Sequence, residues 1–231
     1  MVNIISYYIN YIGIFTIRNK VTRHFKPQIG DILGRSFTVI LTEQPSELCG
    51  ADSCIGTNAI ATKEIVCGHY GEAFPYEEFR AESAKLFRQK VQKHGMPVKP
   101  GVRELLAFLK EQGAKIGLAS STRKCMVEEE LTEAGIREYF HVVVGGDMVE
   151  HSKPEPDVFL KCAQELSVNP KDVYIIEDSY NGIRAAKKAG ATAIMVPDLI
   201  MPDEEMRNLS DYIMTSLSEV KTWLEINVFG N

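Results

Sequence analysis

The order of apolar and polar residues divides the chain into two parts. From Gly56 onward, short apolar runs alternate with longer segments in which apolar residues recur at helical spacing. Before that point no helical periodicity is evident. Two apolar runs in this first part, Ile4 to Ile17 and Ser36 to Thr42, are rich in β-branched and aromatic residues, which favours buried strands.

The regular part predicts three helices and then a strand–helix alternation. The first three helices are predicted over Thr57 to about Cys67, Tyr76 to about His94, and VRELLAFLKEQ after Pro100-Gly101. The predicted strands are Lys115 to Ala119, His141 to Val144, Val173 to Ile176 and Thr192 to Val196. The later predicted helices are Thr122 to Ala134, Pro156 to Leu166, Asn181 to Ala189, and one after the capping box Ser216-x-x-Glu219. This alternation predicts an α/β fold with a parallel sheet, whose active site lies at the carboxyl ends of its strands.

Composition and charge exclude several classes of protein. With 231 residues, 45% hydrophobic residues and a net charge of -5, the chain is neither disordered nor a basic nucleic-acid binder. The uncharged run Ile4 to Ile17 is shorter than the ~20 apolar residues of a membrane span, so no membrane partner is expected. The five cysteines show no paired metal-ligand spacing, which is typical of reduced thiols and a cytoplasmic location. They are Cys49, Cys54, Cys67, Cys125 and Cys162.

Polar side chains follow three of the predicted strands. Ser120 and Ser121 come after KIGLA, where a hydroxyl binds a phosphate oxygen or caps the next helix. Lys153 follows HVVV in a loop, where a lysine neutralises a phosphoryl group or is simply solvated. Glu177 and Asp178 follow VYII and offer the oxygen ligands that Mg²⁺ prefers, although Asp178 could instead cap a helix. Each residue alone has an ordinary structural explanation, but together they indicate phosphate chemistry.

In this order and spacing the chain resembles the haloacid dehalogenase (HAD) superfamily of phosphohydrolases, within the group that contains β-phosphoglucomutase and phosphoglycolate-type phosphatases. The resemblance lies in VKPGVRELLAFLKEQGAKIGLASST, HSKPEPDVFLKCAQELSV and VYIIEDSYNGIRAAKKAGATAIMVPD. Upstream, CIGTNAIATKEI and GEAFPYEEF resemble the helical cap of this group. The resemblance implies a HAD-like Rossmannoid parallel sheet with helices on both faces and a small α-helical cap.

The resemblance also implies roles for the strand-end residues and a function. Ser120 would bind phosphate together with Ser121, and Lys153 would stabilise the nucleophile and the transferring phosphoryl group. Asp178 would be a Mg²⁺ ligand, with Glu177 as a direct or water-mediated partner. The implied activity is Mg²⁺-dependent hydrolysis of a small phosphorylated metabolite by a monomer or weak dimer.

By the same resemblance the chain divides into three regions. Residues 98–231 would form the α/β core and residues 55–97 the helical cap. Residues 1–54 would be an atypical N-terminal segment in place of the first core strand and the start of the cap.

The nucleophile of the family is missing from this chain. The family's first motif, D-x-D-G-[TV], follows an apolar strand near the N-terminus; its first Asp attacks phosphorus and its second transfers protons. No D-x-D precedes the cap, and the nearest string, Asp52-Ser53-Cys54, has Cys54 in place of the second Asp. Counting back from Gly56, the family's spacing places the nucleophile at about Arg18 to Lys20, where no carboxylate occurs.

Two explanations of this loss are open, and both predict a chain without ordinary phosphatase activity. One is a natural pseudoenzyme that binds a phosphorylated ligand or a partner. The other is a reading-frame error upstream of about Cys54. The first 54 residues carry five basic and four acidic side chains, against a net charge of -5 overall, and this abrupt change of character favours the second.

A β-phosphoglucomutase-type phosphomutase is a further alternative function. By resemblance, these enzymes carry an arginine just after the cap glycine. Here that stretch reads Thr57-Asn58-Ala59-Ile60-Ala61, which argues against a phosphomutase.

Overall fold

A six-stranded parallel sheet forms the centre of the molecule. The computed structural model describes residues 2–5, 59–198 and 201–230. The strands are β1 (Val2–Ile5), β2 (Lys115–Ala119), β3 (Val142–Val144), β4 (Val173–Glu177), β5 (Thr192–Met195) and β6 (Tyr212–Ile213). Their spatial order is β3-β2-β1-β4-β5-β6, and every neighbouring pair is parallel.

The first strand comes from the atypical N-terminal segment and lies in the middle of the sheet. β1 pairs with β2 on one side and with β4 on the other, so that Ile5 is in register with both Leu118 and Ile176. Of the apolar run predicted to be a strand, only its first two residues fall within β1. The rest of that run, the second predicted strand at Ser36 to Thr42 and the stretch Arg18 to Lys20 lie outside the described residues.

Helices connect the strands and cover both faces of the sheet. They are α1 (Ala59–Tyr70), α2 (Tyr76–His94), α3 (Val102–Glu111), α4 (Lys124–Glu133), α5 (Asp157–Leu166), α6 (Tyr180–Lys188), α7 (Glu204–Leu209) and α8 (Leu217–Asn227). Short 3₁₀ helices span Arg137–Tyr139, Gly146–Met148 and Pro170–Asp172. All the helices and strands predicted from Gly56 onward are confirmed, with ends that differ by up to three residues. The short elements α7 and β6 were not predicted.

The core consists of two apolar layers, one on each face of the sheet. Helices α3, α4 and α8 supply the first layer, with Leu105, Leu106 and Leu109 of α3 almost completely buried. Helices α5, α6 and α7 supply the second, where Ala185 and Ala186 of α6 are fully buried. Their small side chains let α6 approach the sheet closely. Helices on both faces confirm the predicted fold class.

Helices α1 and α2 pack through aromatic side chains. Tyr70 at the end of α1 stacks on Phe74 with ring centroids 5.2 Å apart, and Phe74 meets Phe79 of α2 edge-on at 5.6 Å. An exposed ion pair of 3.4 Å joins Arg88 of α2 to Glu129 of α4. Among the described residues, no helix combines the length and the apolar character that crossing a membrane requires.

Candidate active site

The polar residues singled out in the sequence lie at one edge of the sheet. Ser120 follows β2 directly and Asp178 follows β4 directly, and these two strands flank β1. Lys153 lies in the connection between β3 and α5. All three are buried, with residue exposures of 4%, 6% and 5%. The carboxyl ends of neighbouring parallel strands therefore bring a hydroxyl, a carboxylate and an ammonium group to the same edge.

The end of β2 holds Ser120 by its backbone and its side chain. The Ser120 N–H donates to the carbonyl oxygen of Val144 at 2.9 Å, which extends the ladder to β3 by one bond. The Ser120 hydroxyl oxygen accepts from the N–H of Thr122 at 3.1 Å. The N-cap residue of α4 is Arg123, so Ser120 does not cap this helix. Its neighbour Ser121 is half-buried.

Lys153 and Glu177 form a buried ion pair. The Lys153 Nζ lies 2.7 Å from the Glu177 Oε1, and the two side chains are 4% and 2% exposed. The ammonium also lies 4.7 Å from the ring centroid of Phe159. Burial by itself raises the pKa of Glu177, but the Lys153 ammonium and the hydrogen bonds to the carboxylate outweigh it, so the pKa of Glu177 is lowered. Lys153 is therefore held in a buried ion pair and is not a solvated loop lysine.

Glu177 accepts hydrogen bonds with both of its oxygens. Its Oε1 accepts from Lys153, while its Oε2 accepts from the N–H groups of Asp178 at 2.7 Å and Ser179 at 3.1 Å. This geometry makes Glu177 the residue that positions Lys153. Because both oxygens of Glu177 already accept hydrogen bonds, Glu177 is better suited to contact a metal ion through a water molecule than to bind it directly.

Gly182 leaves the space that the Glu177 carboxylate fills. A Cβ atom at this position would lie 1.8 Å from the Glu177 Oε1. The N-cap of α6 is Ser179, whose hydroxyl oxygen accepts from the N–H of Gly182 at 3.0 Å. Because Ser179 is the N-cap of α6, Asp178 does not cap this helix.

The two oxygens of Asp178 differ in their contacts. Its Oδ2 lies 2.5 Å from the Nζ of Lys99, while its Oδ1 is buried and accepts no hydrogen bond from the residues that the structure describes. Burial is the main cause that raises the pKa of Asp178 well above its ordinary value, and the neighbouring Glu177 adds to it against the opposing effect of Lys99.

Lys99 is a site residue that sequence reasoning did not identify. It lies between α2 and α3, and its Nζ bridges Asp178 and the Oδ2 of Asp198 at 3.1 Å. Burial alone would lower the pKa of Lys99, but the two carboxylates outweigh it and raise it. The sequence showed Lys99 only as part of the VKPG string that opens α3.

A magnesium ion would fit this site with Asp178 as its protein ligand. The unpartnered Oδ1 of Asp178 is a hard oxygen ligand. Among the described residues, no group of three or more His, Cys, Asp or Glu side chains could hold a metal ion. Mg²⁺ commonly uses one or two carboxylates and completes its coordination with waters and phosphate oxygens, so one carboxylate suffices for a weak site.

This sheet, with its strand-end hydroxyl, buried lysine and aspartate, defines a phosphohydrolase-type α/β core, and comparison with known proteins gives its family. Residues 51–196 match the family described as haloacid dehalogenase-like hydrolase, and the chain belongs to that family. The match covers residues 51–54 of the atypical N-terminal segment and none of residues 1–50.

The similar proteins include phosphatases and a phosphomutase. Hexitol phosphatase B of Escherichia coli (strain K12) is 39% identical over 54% of this chain and 56% of its own length. Beta-phosphoglucomutase of Bacillus subtilis (strain 168) is 38% identical over 52% of this chain and 54% of its own. The chain thus spans about half the length of these curated relatives. The crystal structure of CbbY from Rhodobacter sphaeroides in complex with phosphate is 31% identical, with a TM-score of 0.55 over 64% of this chain and 67% of that one.

Counting onward in the sequence from the last residue of β1 gives a second position at which the family's nucleophile would be expected. In the sheet, Ile5 is in register with Leu118 of β2 and with Ile176 of β4. Ser120 lies two residues after Leu118, and Asp178 lies two residues after Ile176. The residue two positions after Ile5 in the sequence is Tyr7. This count gives an earlier position than the spacing from Gly56 did, and neither position holds a carboxylate.

Proposed function

We propose that this chain binds the phosphoryl group of a small phosphate monoester at the carboxyl ends of β2 and β4, and that it does not hydrolyse the ester at an ordinary rate. The observation that carries the proposal is the buried Lys153, which Glu177 holds at 2.7 Å at the edge of the sheet where Ser120 ends β2. A lysine ammonium held at this edge can make a charge-assisted hydrogen bond to a phosphoryl oxygen.

Each residue has a separate part in this binding. The Ser120 hydroxyl donates to one phosphoryl oxygen, and the Lys153 ammonium neutralises charge on another. Mg²⁺ held by Asp178 would supply further neutralisation of the phosphoryl oxygens. No described residue offers a carboxylate in the nucleophile's place, so the phosphorus–oxygen bond of the ester stays intact.

The similar proteins support a phosphorylated carbohydrate or a related small metabolite as the ligand. One is named as a hexitol phosphatase and another as a beta-phosphoglucomutase, and the chain of similar fold was crystallised with phosphate. No residue from Ala59 to Ala61, at the start of α1, is an arginine, and no observation favours phosphomutase chemistry over hydrolysis.

Binding is tested with inorganic phosphate in the presence of Mg²⁺ by isothermal titration calorimetry. We expect Ser120→Ala to weaken binding about tenfold, because one hydrogen bond to a charged group is lost. The matched control is Ser218→Ala, which removes an exposed hydroxyl on α8. Equal phosphate affinity of wild type and the Ser120 variant would contradict the proposed site.

Catalysis is tested by supplying the missing carboxylates. The double substitution Tyr7→Asp and Ile9→Asp writes D-x-D at the position given by the strand register. We expect no Mg²⁺-dependent turnover of p-nitrophenyl phosphate by the wild type and measurable turnover by this variant. The control places the same two charges one residue later, at Tyr8 and Asn10. Clear turnover by the wild-type chain, or equal gains in both variants, would show that the loss of D-x-D is not the cause.

A further inference from the structure

Lys99 belongs to the linker between cap and core, yet its side chain reaches the acidic end of the site. We propose that Lys99 is a resident cation of this site, which competes with a divalent cation for Asp178 and ties the cap linker to the core when no metal is bound. The proposal deepens the proposed function by treating Asp178 as the metal carboxylate, but it requires neither phosphate binding nor turnover.

The contacts of Lys99 are those of a cation shared by two carboxylates. Its ammonium lies 2.5 Å from the Asp178 Oδ2 and 3.1 Å from the Asp198 Oδ2. Asp178 is 5% exposed at its side chain, so little water screens this pair. A divalent cation on the same carboxylate would face the Lys99 charge at short range, and like charges at that distance repel strongly.

The balance of charge explains why the two cations exclude each other here. The described charges at this edge are the ammoniums of Lys99 and Lys153 and the carboxylates of Glu177, Asp178 and Asp198. This set carries a net charge of minus one, from two cations against three anions. A bound Mg²⁺ would turn it into plus one if Lys99 stayed. Displacement of Lys99 removes that excess.

The two lysines of the site differ in their freedom to leave. Lys153 is 4% exposed, packs on Phe159 and has its carboxylate partner held by backbone N–H groups. Lys99 is 31% exposed, so its flexible stem can carry the ammonium into water without burying it elsewhere. Only Lys99 is therefore suited to exchange with a metal ion.

The position of Lys99 links this exchange to the cap. Gly101, two residues further on, has a φ of +87° and packs against Ser218 of α8, which fixes the backbone at the start of α3. Lys99 adds a second attachment, to the loops after β4 and β5. When a metal ion displaces Lys99, that attachment is lost, and by reciprocity whatever detaches Lys99 strengthens metal binding.

The first test measures Mg²⁺ affinity without substrate, by isothermal titration calorimetry. We expect Lys99→Met to bind Mg²⁺ about tenfold more tightly than the wild type, and Lys99→Arg, which keeps the charge, to bind as the wild type does. The matched control is Lys187→Met, since Lys187 is similarly exposed and its partner is Asp211, away from the site. Unchanged or weaker affinity of Lys99→Met would overturn the proposal.

The second test needs no variant and measures hydrogen exchange of the linker amides. We expect added Mg²⁺ to speed exchange in residues 95–101 of the wild type, because the Lys99 attachment is lost. Unchanged or slower exchange in this linker would overturn the proposal. Asp178→Asn should abolish the Mg²⁺ effect. Failure of phosphate binding or of the D-x-D variant would leave both results standing, so the two proposals are separable.

Discussion

Replacement of Lys153 by methionine should destabilise the protein strongly. Methionine keeps the length of the stem and its packing on Phe159, so the chief change is the loss of the ammonium. Glu177 would then be a carboxylate with a 2% exposed side chain that has lost the ammonium of Lys153. An uncompensated buried charge is among the few point changes that cost several kcal/mol.

The magnitude follows from what remains around the carboxylate. Removal of one partner from a buried ion pair typically costs about 3–5 kcal/mol. The two backbone N–H donors at 2.7 and 3.1 Å stay with Glu177, so we expect the lower end, about 3 kcal/mol. For a chain of this size that corresponds to a fall in the melting temperature of about 6–12 °C.

The assay is chemical and thermal unfolding of wild type and Lys153→Met between pH 4 and pH 7. In the wild type the pKa of Glu177 is lowered, so the pair stabilises the fold above the ordinary carboxyl pKa and loses this contribution as the pH falls through the lowered value. In the variant, burial without the lysine would raise that pKa, and protonation would relieve the cost. The deficit of the variant should therefore be largest at neutral pH and shrink toward pH 4.

A control variant and a double variant distinguish the loss of the ion pair from a general effect of losing a lysine. Lys161→Met removes an exposed lysine of α5 that pairs with Glu165, and should cost less than about 0.5 kcal/mol. Adding Glu177→Gln to the Lys153 variant should restore part of the lost stability, because no buried charge remains. A deficit below about 1 kcal/mol at pH 7, or one independent of pH, would refute the reasoning.

Two further predictions concern Gly182, where an added side chain has no space, and Glu130, whose carboxyl group is buried. Gly182→Ala should lower the free energy of unfolding, measured by urea titration, by about 3 kcal/mol, since its Cβ would displace the Glu177 carboxylate. The control is Gly68→Ala in α1, which has no described atom near the added Cβ and should be neutral or stabilising. Equal effects of the two changes would contradict this. Burial, with smaller contributions from neighbouring glutamates, raises the pKa of Glu130 in α4 to about 8, so its ionisation opposes folding as the pH rises toward 8. Glu130→Gln should therefore be more stable than wild type at pH 9, on the order of 2 kcal/mol or more, and equal to it at pH 4, as unfolding at both values would show.

Periodic elements could be predicted from the sequence and short ones could not. The bounds of β2 agree to the residue, because the mostly apolar run KIGLA follows shortly after Gly113 and is followed directly by two serines. The six residues of α7 and the two of β6 are too short to show a helical or an alternating pattern. One of the two hydrogen bonds of the predicted capping box of α8 is confirmed. The Ser216 hydroxyl oxygen accepts from the N–H of Glu219, but the Glu219 carboxylate accepts from the N–H of Thr215 and not from that of Ser216.

The site was predictable where it follows strand ends and unpredictable where it depends on tertiary contacts. Ser120, Lys153 and Asp178 follow apolar runs, which marks them in the sequence. Adjacent residues in a strand point to opposite sides, yet the sequence alone does not show that Glu177 turns to Lys153 while Asp178 turns to Lys99. Lys99 and Asp178 are 79 residues apart, so no local pattern could connect them.

The central position of β1 governs how the chain can fold. Val2 pairs with Lys115 and with Val173, so the first strand must wait for partners 113 and 171 positions later in the sequence. Closing such large loops is slow, because their entropy is lost before the ladder forms. During synthesis β1 emerges long before β4, and until β4 follows, β1 lacks its partner on that side. We expect chaperone binding to be concentrated on the interval before β4 pairs with β1.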